Sequence, residues 1–519
     1  MPSQPLLIEI PDQGDQAATS DAAPDQPRAP RLKEPERNQF VMDAFDLEQL
    51  IPANHLARAI WSVVQRLNSE GFLKDNKSVE GHAGRPRTSP KMLLAIWVYA
   101  YSQGMGQARE IARQMFYEPG LRWLAGNAVV SFRTLSGFRT EHGPALREMF
   151  AELLGLFASE GLVDLTELTL DGTKIKADAG ADSRRRETTL REHIAQAAQV
   201  VRDLDQPEIA EQISRHQKAA RKRGAEERHA RLQLGLEQLQ EIRKGKSKTE
   251  QAEARVSLTD PEARLMKDGH GGFGLNYNVQ VQTETKNKVV VDVAVTQDGY
   301  DQHQMEPALE RRKADGEMPE TLIVDGGYRT VANIGKAQEQ GVDLIGPPMD
   351  SSGERQTRNC AQSLKRAGIA SEFGPSAFIQ IEEGSALQCP AGKRLALRQT
   401  TREYQQYVSS KSDCAGCPDQ PRCSPQGQRW VKVKLDQAAV KAYAEKMEDP
   451  AKRELYGKRG AVAEFPHAWW KEKFGFRRFH VRGKVKAGIE ILWVALTYNM
   501  QQWIRLTGVP AAAVAQAVS

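Results

Sequence analysis

The sequence predicts a mixed α/β chain, with a helical N-terminal domain ahead of a sheet that two insertions interrupt. Three observations carry this expectation. Apolar residues recur at helical spacing from Arg37 to His142. Strand-like alternation and short apolar runs occupy Leu165–Lys176 and Leu275–Gly346. The third is a pair of stretches unlike either: charged, helix-patterned Ala181–Arg255, and a later Pro- and Gly-rich segment holding four cysteines. At 519 residues there is room for about three domains of ~150 residues. Lys plus Arg total 72 against 67 Asp plus Glu, a net charge of +5, so any strongly basic surface must come from local clustering.

Residues 1–36 read as a disordered tail, because Met1–Pro30 carries Asp12, Asp15, Asp21 and Asp25 among Pro, Ala and Gln, with few bulky residues. The tail has neither the basic-then-apolar order of a signal sequence nor the pattern of a transit peptide. Ile489–Tyr498 is broken by Glu490 and too short to span a bilayer. Five cysteines are too few for a disulfide scaffold, so the sequence predicts a cytoplasmic protein with no membrane partner.

Residues 37–150 form the predicted helical domain, with Met92–Tyr99 and Ala108–Phe116 as its clearest helices. Gly84–Pro90, with Arg85 and Arg87, and Thr134–Arg139, read as loop or turn segments, have the character of phosphate contacts; solvated loop charges are the alternative. Leu165–Lys176, within a first core segment at 160–180, alternates like a strand and is read as ending in a glycine turn, with Asp171 at the strand end. Residues 181–255 hold 17 Lys or Arg against 13 Asp or Glu and form a charged helical insertion, either a solvated hairpin or a DNA-binding arm. The core resumes over 256–350: Leu275–Thr283 and Lys288–Thr296 as a hairpin through Glu284–Asn287, a helix over His303–Arg312, the buried strand Thr321–Asp325, a helix over Thr330–Gln340, and a strand at Val342–Gly346. An antiparallel meander continued by crossovers is the ribonuclease H-like arrangement. Residues 351–450 make the cysteine-containing insertion, and 451–507 the catalytic helix and C-terminal helices of the core.

Asp171 and Asp325 each follow an apolar strand and precede a glycine, which predicts two carboxylates at one edge of the sheet. Like charges so close repel unless a divalent cation neutralises them, and hard oxygen donors suit Mg2+ or Mn2+. A third acid is expected in Glu464. It lies seven residues before Lys471, two helical turns, and Pro466 is accommodated if the helix begins near Glu464. Lys452–Lys486 contains 11 Lys or Arg and three acids, a net +8 that points to nucleic acid.

Asp171, Asp325 and Glu464, together with Tyr456, Arg459, Glu464 and Lys471 spaced Tyr-x2-Arg-x4-Glu-x6-Lys, resemble the Asp-Asp-Glu triad and Tyr-Arg-Glu-Lys signature of bacterial insertion-sequence transposases. Val324–Tyr328 is similar to the second-aspartate motif of that family, and the region around Gly84–Pro90 to its N-terminal domain; Phe465, between the glutamate and the proline, is a departure. The resemblance implies transposition of double-stranded DNA by a homodimer on the bacterial nucleoid, metal ions held by the three acids, and Tyr456, Arg459 and Lys471 on the phosphates of the element's ends. Trp469, beside this site, is expected to stack on a displaced base. The rival readings are a DNA-binding protein without chemistry and a metal-dependent nuclease that does not join strands.

Cys389, Cys414, Cys417 and Cys423 contain one Cys-x2-Cys pair and suit a four-thiolate Zn2+ site; reduced thiols packed in a subdomain are the alternative. Cys360 stands apart.

Overall fold

The computed structural model describes residues 46–74, 87–205, 214–268, 271–348, 362–401, 404–434 and 438–508. The expected tail, Arg85 and Cys360 lie outside these residues. The chain is mixed α/β.

Among the described residues ahead of the main sheet lie the α-helices α1 (Leu56–Arg66), α2 (Pro90–Ser102), α3 (Ala108–Gln114), α4 (Pro119–Leu124), α5 (Phe132–Glu141) and α6 (Gly143–Ser159). Prolines in the first turn of α2, α4 and α6 suit positions whose amides have no helical acceptor. Helix α2 is apolar around its whole girth and is buried continuously from Leu93 to Tyr101, as such a helix must be. Thr134–Arg139, read from the sequence as a segment near a turn, lies within α5, which starts where Ser131 accepts a hydrogen bond from the Thr134 amide.

The main sheet contains β1 (Glu167–Lys176), β4 (Arg264–Lys267), β5 (Phe273–Glu284), β6 (Val290–Thr296), β7 (Thr321–Val324) and β8 (Asp343–Ile345). β5 lies antiparallel to β1, β4 and β6, and β7 lies parallel to both β1 and β8. Strand β1 runs straight through Asp171-Gly172 for four more residues, so this dipeptide is not the strand-ending turn expected from sequence. Two crossover helices, α10 (Met305–Ala314) and α11 (Val331–Glu339), join β6, β7 and β8.

Between β1 and β4, α7 (Glu187–Asp205), α8 (Arg215–Arg243) and α9 (Lys248–Glu253) bury Leu190, Ala197, Leu232 and Leu239, and β2 (Arg184–Arg185) pairs with β3 (Val256–Ser257) where the hairpin meets the sheet. The cysteine segment builds a second antiparallel sheet, ordered β13-β12-β11-β10-β9: β9 (Ile379–Ile381), β10 (Ala386–Gln388), β11 (Arg394–Thr400), β12 (Tyr404–Ser409) and β13 (Trp430–Lys434). It buries Phe378, Leu387, Leu395, Tyr407 and Val431, so this Pro- and Gly-rich segment has a small core of its own. The one-turn helices α12 (Lys411–Ala415) and α13 (Gln420–Cys423) fill the β12–β13 connection.

The chain closes with α14 (Ala438–Lys446), α15 (Pro450–Ala468), a widened π turn at Trp469–Lys473 and α16 (Lys484–Thr507). Helix α15 starts at Pro450, capped by Asp449, and not near Glu464; Pro466 therefore lies inside it. Helix α16 packs on α1, α2, α5 and α6 and on β6, where the Asn499 amide bonds both backbone groups of Val290 at 3.0 and 2.7 Å. No helix among the described residues is long and apolar enough to cross a membrane.

Arg139, expected on a phosphate, is 4% exposed. Its Nη1 donates to the Gly106 carbonyl at 2.6 Å and pairs with Glu490 at 3.2 Å, while its guanidinium covers the Trp97 ring. It holds α5 to α16 and has no face left for DNA. Removing one member of a buried ion pair strands the other charge, so Arg139→Met should cost about 3 kcal/mol, and adding Glu490→Gln should restore most of that loss. Urea unfolding measures both; an unchanged midpoint for Arg139→Met would refute the role.

Candidate active site

β1 carries Asp171 and Thr173 on one face and Gly172 and Lys174 on the other, because successive strand side chains alternate. The parallel register Leu170 to Val324 sets Asp325, the first residue beyond β7, level with Asp171. Asp325 Oδ1 accepts from the Gly327 amide at 2.7 Å, which fixes the carboxylate at the strand end. Asp171 is 9% exposed, and its carboxyl is pushed up to about 6, chiefly by burial, with Asp325 and more weakly Asp301 adding to the rise while Arg459 and the Gly172 amide oppose it. Burial therefore outweighs the ion pair.

Helix α15 packs on β1, β5, β7 and β8 and brings its own groups to this edge. Arg459 Nη1 lies 3.5 Å from Asp171 Oδ2 as an ion pair without a hydrogen bond, and its Nη2 lies 3.9 Å from Glu464 Oε1. The Glu464 side chain is 68% exposed, pairs with Arg459 and lies over Gly460. His467 Nδ1 is 3.8 Å from Asp171 Oδ2, too far for a hydrogen bond. Burial, assisted by the charges of Lys471 and Arg459, pushes His467 down to about 3, so it is neutral near pH 7. Its buried Nε2 has no hydrogen-bond partner among the described residues. Lys471, in the π turn, donates to Thr173 Oγ1 at 2.6 Å, and burial lowers its pKa.

Asp301 fills the space on the opposite face of β1. Its Oδ1 accepts from Asn278 at 2.7 Å and Gln280 at 2.9 Å, and its Oδ2 pairs with Lys174 at 3.6 Å. A Cβ at Gly172 would lie 2.3 Å from Asp301 Oδ1, so the glycine admits a carboxylate under the strand rather than making a turn. Tyr328 is buried and donates to Gln280 Oε1; burial, then the charges of Asp301, Asp171 and Asp325, push its hydroxyl pKa far up.

The fold thus brings together Asp171, Asp325, Arg459 and Lys471, with Glu464 linked to them through Arg459. Tyr456 packs instead against the core near Tyr443. Arg87 is exposed, with its Nη2 3.4 Å from His142 Nε2. Trp469 is half-buried, donates to Gln501 at 2.9 Å and packs on Phe465 and Tyr498. Sequence reasoning passed over Asp301, His467 and Thr173, and met Tyr328 only as the end of the second-aspartate motif; His467, three residues after Glu464, carried a helical-spacing signal. The chemistry of Asp171 and Asp325, two hard oxygen donors, one of them raised by burial, fits a divalent cation. Yet among the described residues no group of three or more His, Cys, Asp or Glu stands ready to hold an ion.

Residues 388–504 match the family model described as a transposase DDE domain, and residues 45–141 match a transposase domain model, DUF772. These matches support a DDE transposase. The first spans the four cysteines, Arg459, Glu464 and Lys471, and neither match includes Asp171 or Asp325. No curated protein matches the chain. A solved piggyBac transposase synaptic complex with hairpin DNA is similar at 10% identity over 91% of this chain and 78% of that one, with a TM-score of 0.26, too low to align parts.

Because the folded chain holds the Asp171 proton up to about pH 6 and the unfolded chain releases it near 3.8, folding loses stability as pH rises through that window. The loss reaches on the order of 3 kcal/mol above the window. Asp171→Asn removes it, so in cation-free buffer the variant's stability advantage over the parent should grow by about 2 kcal/mol between roughly pH 4.5, where part of the penalty is already present, and pH 7.5. Chemical denaturation at the two pH values checks this, and equal gaps would contradict it. Gly172→Ala should cost about 1–3 kcal/mol by overpacking against Asp301, read as a lower urea midpoint.

Proposed function

We propose that the chain is a transposase that binds the ends of its mobile element and cuts and rejoins DNA strands at Asp171, Asp325 and Glu464. The observation that carries this is the pairing of Asp171 with Asp325 on adjacent parallel strands, beneath a helix that carries Arg459 and Lys471. The strand order β6-β5-β1-β7-β8, antiparallel then parallel, supports a ribonuclease H-like core over 160–180 and 256–350. Helices before it serve as the DNA-binding domain over 37–150, with Arg87 as a phosphate contact, and 181–255 and 351–450 are its insertions. The spacing Tyr456, Arg459, Glu464, Lys471 supports the Tyr-Arg-Glu-Lys branch.

Asp171 and Asp325 would hold Mg2+ or Mn2+, with Glu464 as the third donor. Bound there, the cation supplies charge neutralisation and activates a water or a 3′-hydroxyl for in-line attack on a phosphodiester. Arg459 neutralises Asp171 in the resting site. Lys471, held by Thr173 two residues along the same face, presents a positive charge to the phosphate being cut. Neutral His467 excludes water beside Asp171 without competing for its charge. Two DNA ends must be held together, which supports a homodimer on double-stranded DNA, at work on the bacterial nucleoid.

The exposure of Glu464 and the Arg459–Asp171 pair favour one second reading, a protein that binds element ends without cutting them. Magnesium-dependent cleavage and joining of DNA bearing the element's ends decides between the two. Asp325→Asn and Glu464→Gln should each lower cleavage at least ~100-fold with end binding kept. Cleavage unchanged in both variants would sink the triad, cleavage without strand-transfer products would make the chain a nuclease, and binding without cleavage by the parent would leave the second reading.

A further inference from the structure

We propose that Cys389, Cys414, Cys417 and Cys423 bind one zinc ion that staples the β10–β11 turn to helices α12 and α13. This inference does not depend on the function proposed above.

The four side chains come from three separate local structures and line a single cavity of about 30 Å3, roughly the space of one small ion or water. Each is half-buried, and none is in a disulfide. Cys389 opens a tight turn in which the Gly392 amide donates to the Cys389 carbonyl at 2.8 Å. The Lys393 amide then donates to Cys389 Sγ at 3.3 Å. Gly392, at φ 73°, makes that turn possible. Cys414 and Cys417 sit one helical turn apart, with the Cys417 amide on the Cys414 carbonyl at 3.1 Å and Ser409 Oγ 3.1 Å from Cys414 Sγ. Cys423 ends α13, and its amide bonds the Asp419 carbonyl at 2.7 Å.

Two features favour an ion over thiols packed for their own sake. Helices α12 and α13 bury no residue fully, and of the apolar side chains on them only Cys423 packs on the core of this sheet, so apolar burial accounts for little of their placement. Four thiolates and one Zn2+ leave a net charge of −2, and the buried guanidinium of Arg429 lines the same cavity to offset part of it. Soft sulfur donors in fours select zinc or iron over magnesium, and a closed four-thiolate site is structural rather than catalytic. Among the described residues no group of three or more His, Cys, Asp or Glu stands ready to hold an ion, so binding requires the four thiols to draw inward.

The test uses the full chain, expressed in zinc-supplemented medium and purified without chelator. Elemental analysis should find about one zinc per chain, falling below roughly a tenth of that in Cys414→Ser/Cys417→Ser. If that variant fails to fold, the parent decides. After chelation and cobalt addition it should show thiolate-to-cobalt charge transfer and the strong red absorption of tetrahedral cobalt, both lost on adding zinc. Peptide mapping should find these four cysteines protected from alkylation with zinc and modified without it. Protein lacking zinc and giving no thiolate–cobalt bands overturns the proposal, and so does stoichiometric iron in place of zinc.

Discussion

Glu490 has no solvent exposure, and three other parts of the chain meet on its carboxylate. Oε1 takes the Tyr101 hydroxyl from α2 at 3.0 Å and Arg139 from α5 at 3.2 Å, and lies 3.0 Å from His480 Nδ1; Oε2 takes the His480 amide at 2.8 Å. A carboxylate so deep in a core is tolerable only when charge-assisted bonds replace its water, and here they come from segments nearly four hundred residues apart in sequence. The loop that leads into α16 and carries His480 also holds the site strand: the Lys176 amide bonds the Arg477 carbonyl, and the Phe479 amide bonds the Lys176 carbonyl. One short segment thus ties the N-terminal helices to the end of β1.

The position of Lys471 follows from an irregularity in the preceding helix. Pro466 has no amide for the Val462 carbonyl, and within a turn the helix widens, with the Phe474 amide reaching back to the Trp469 carbonyl. Widening shifts the side chains that follow, so Glu464 and Lys471 do not share a face as a uniform helix would have them do. Lys471 instead meets Thr173 on the strand while Glu464 faces solvent. The fully buried Trp470 anchors the turn.

Much of this was legible in the residues. Alternation in Leu275–Thr283, the apolar run Thr321–Val324 and the glycines after Asp325 located the hairpin and the second aspartate; Leu275–Glu284 is buried on both faces, and its alternation separates an apolar face from one whose Asn278 and Gln280 bond Asp301. Asp171 was found for the wrong reason. An Asp-Gly pair at a strand end reads as a turn, and only the packed structure reveals that Gly172 is small so that Asp301 can lie beneath it. Arg139 was misread because a cation near polar residues looks the same in sequence whether it faces phosphate or a glutamate 351 residues away. The five-stranded sheet around the cysteines escaped because its strands are as short as three residues and two faces of so small a sheet leave little alternation to count.

The resting site is poised rather than relaxed. Asp171 is buried on a sheet beside a second carboxylate, and the Arg459 pair at 3.5 Å does not restore its usual acidity. A structure optimised for stability alone would place an amide there, so the carboxylate is a standing cost that only the binding of positive charge relieves. Glu464 meets the opposite condition: because it faces water beside Arg459, its own desolvation is deferred until a ligand draws it in. Arg459 touches both acids, so any charge that displaces it from Asp171 also frees Glu464, and the two carboxylates respond together although their side chains do not meet.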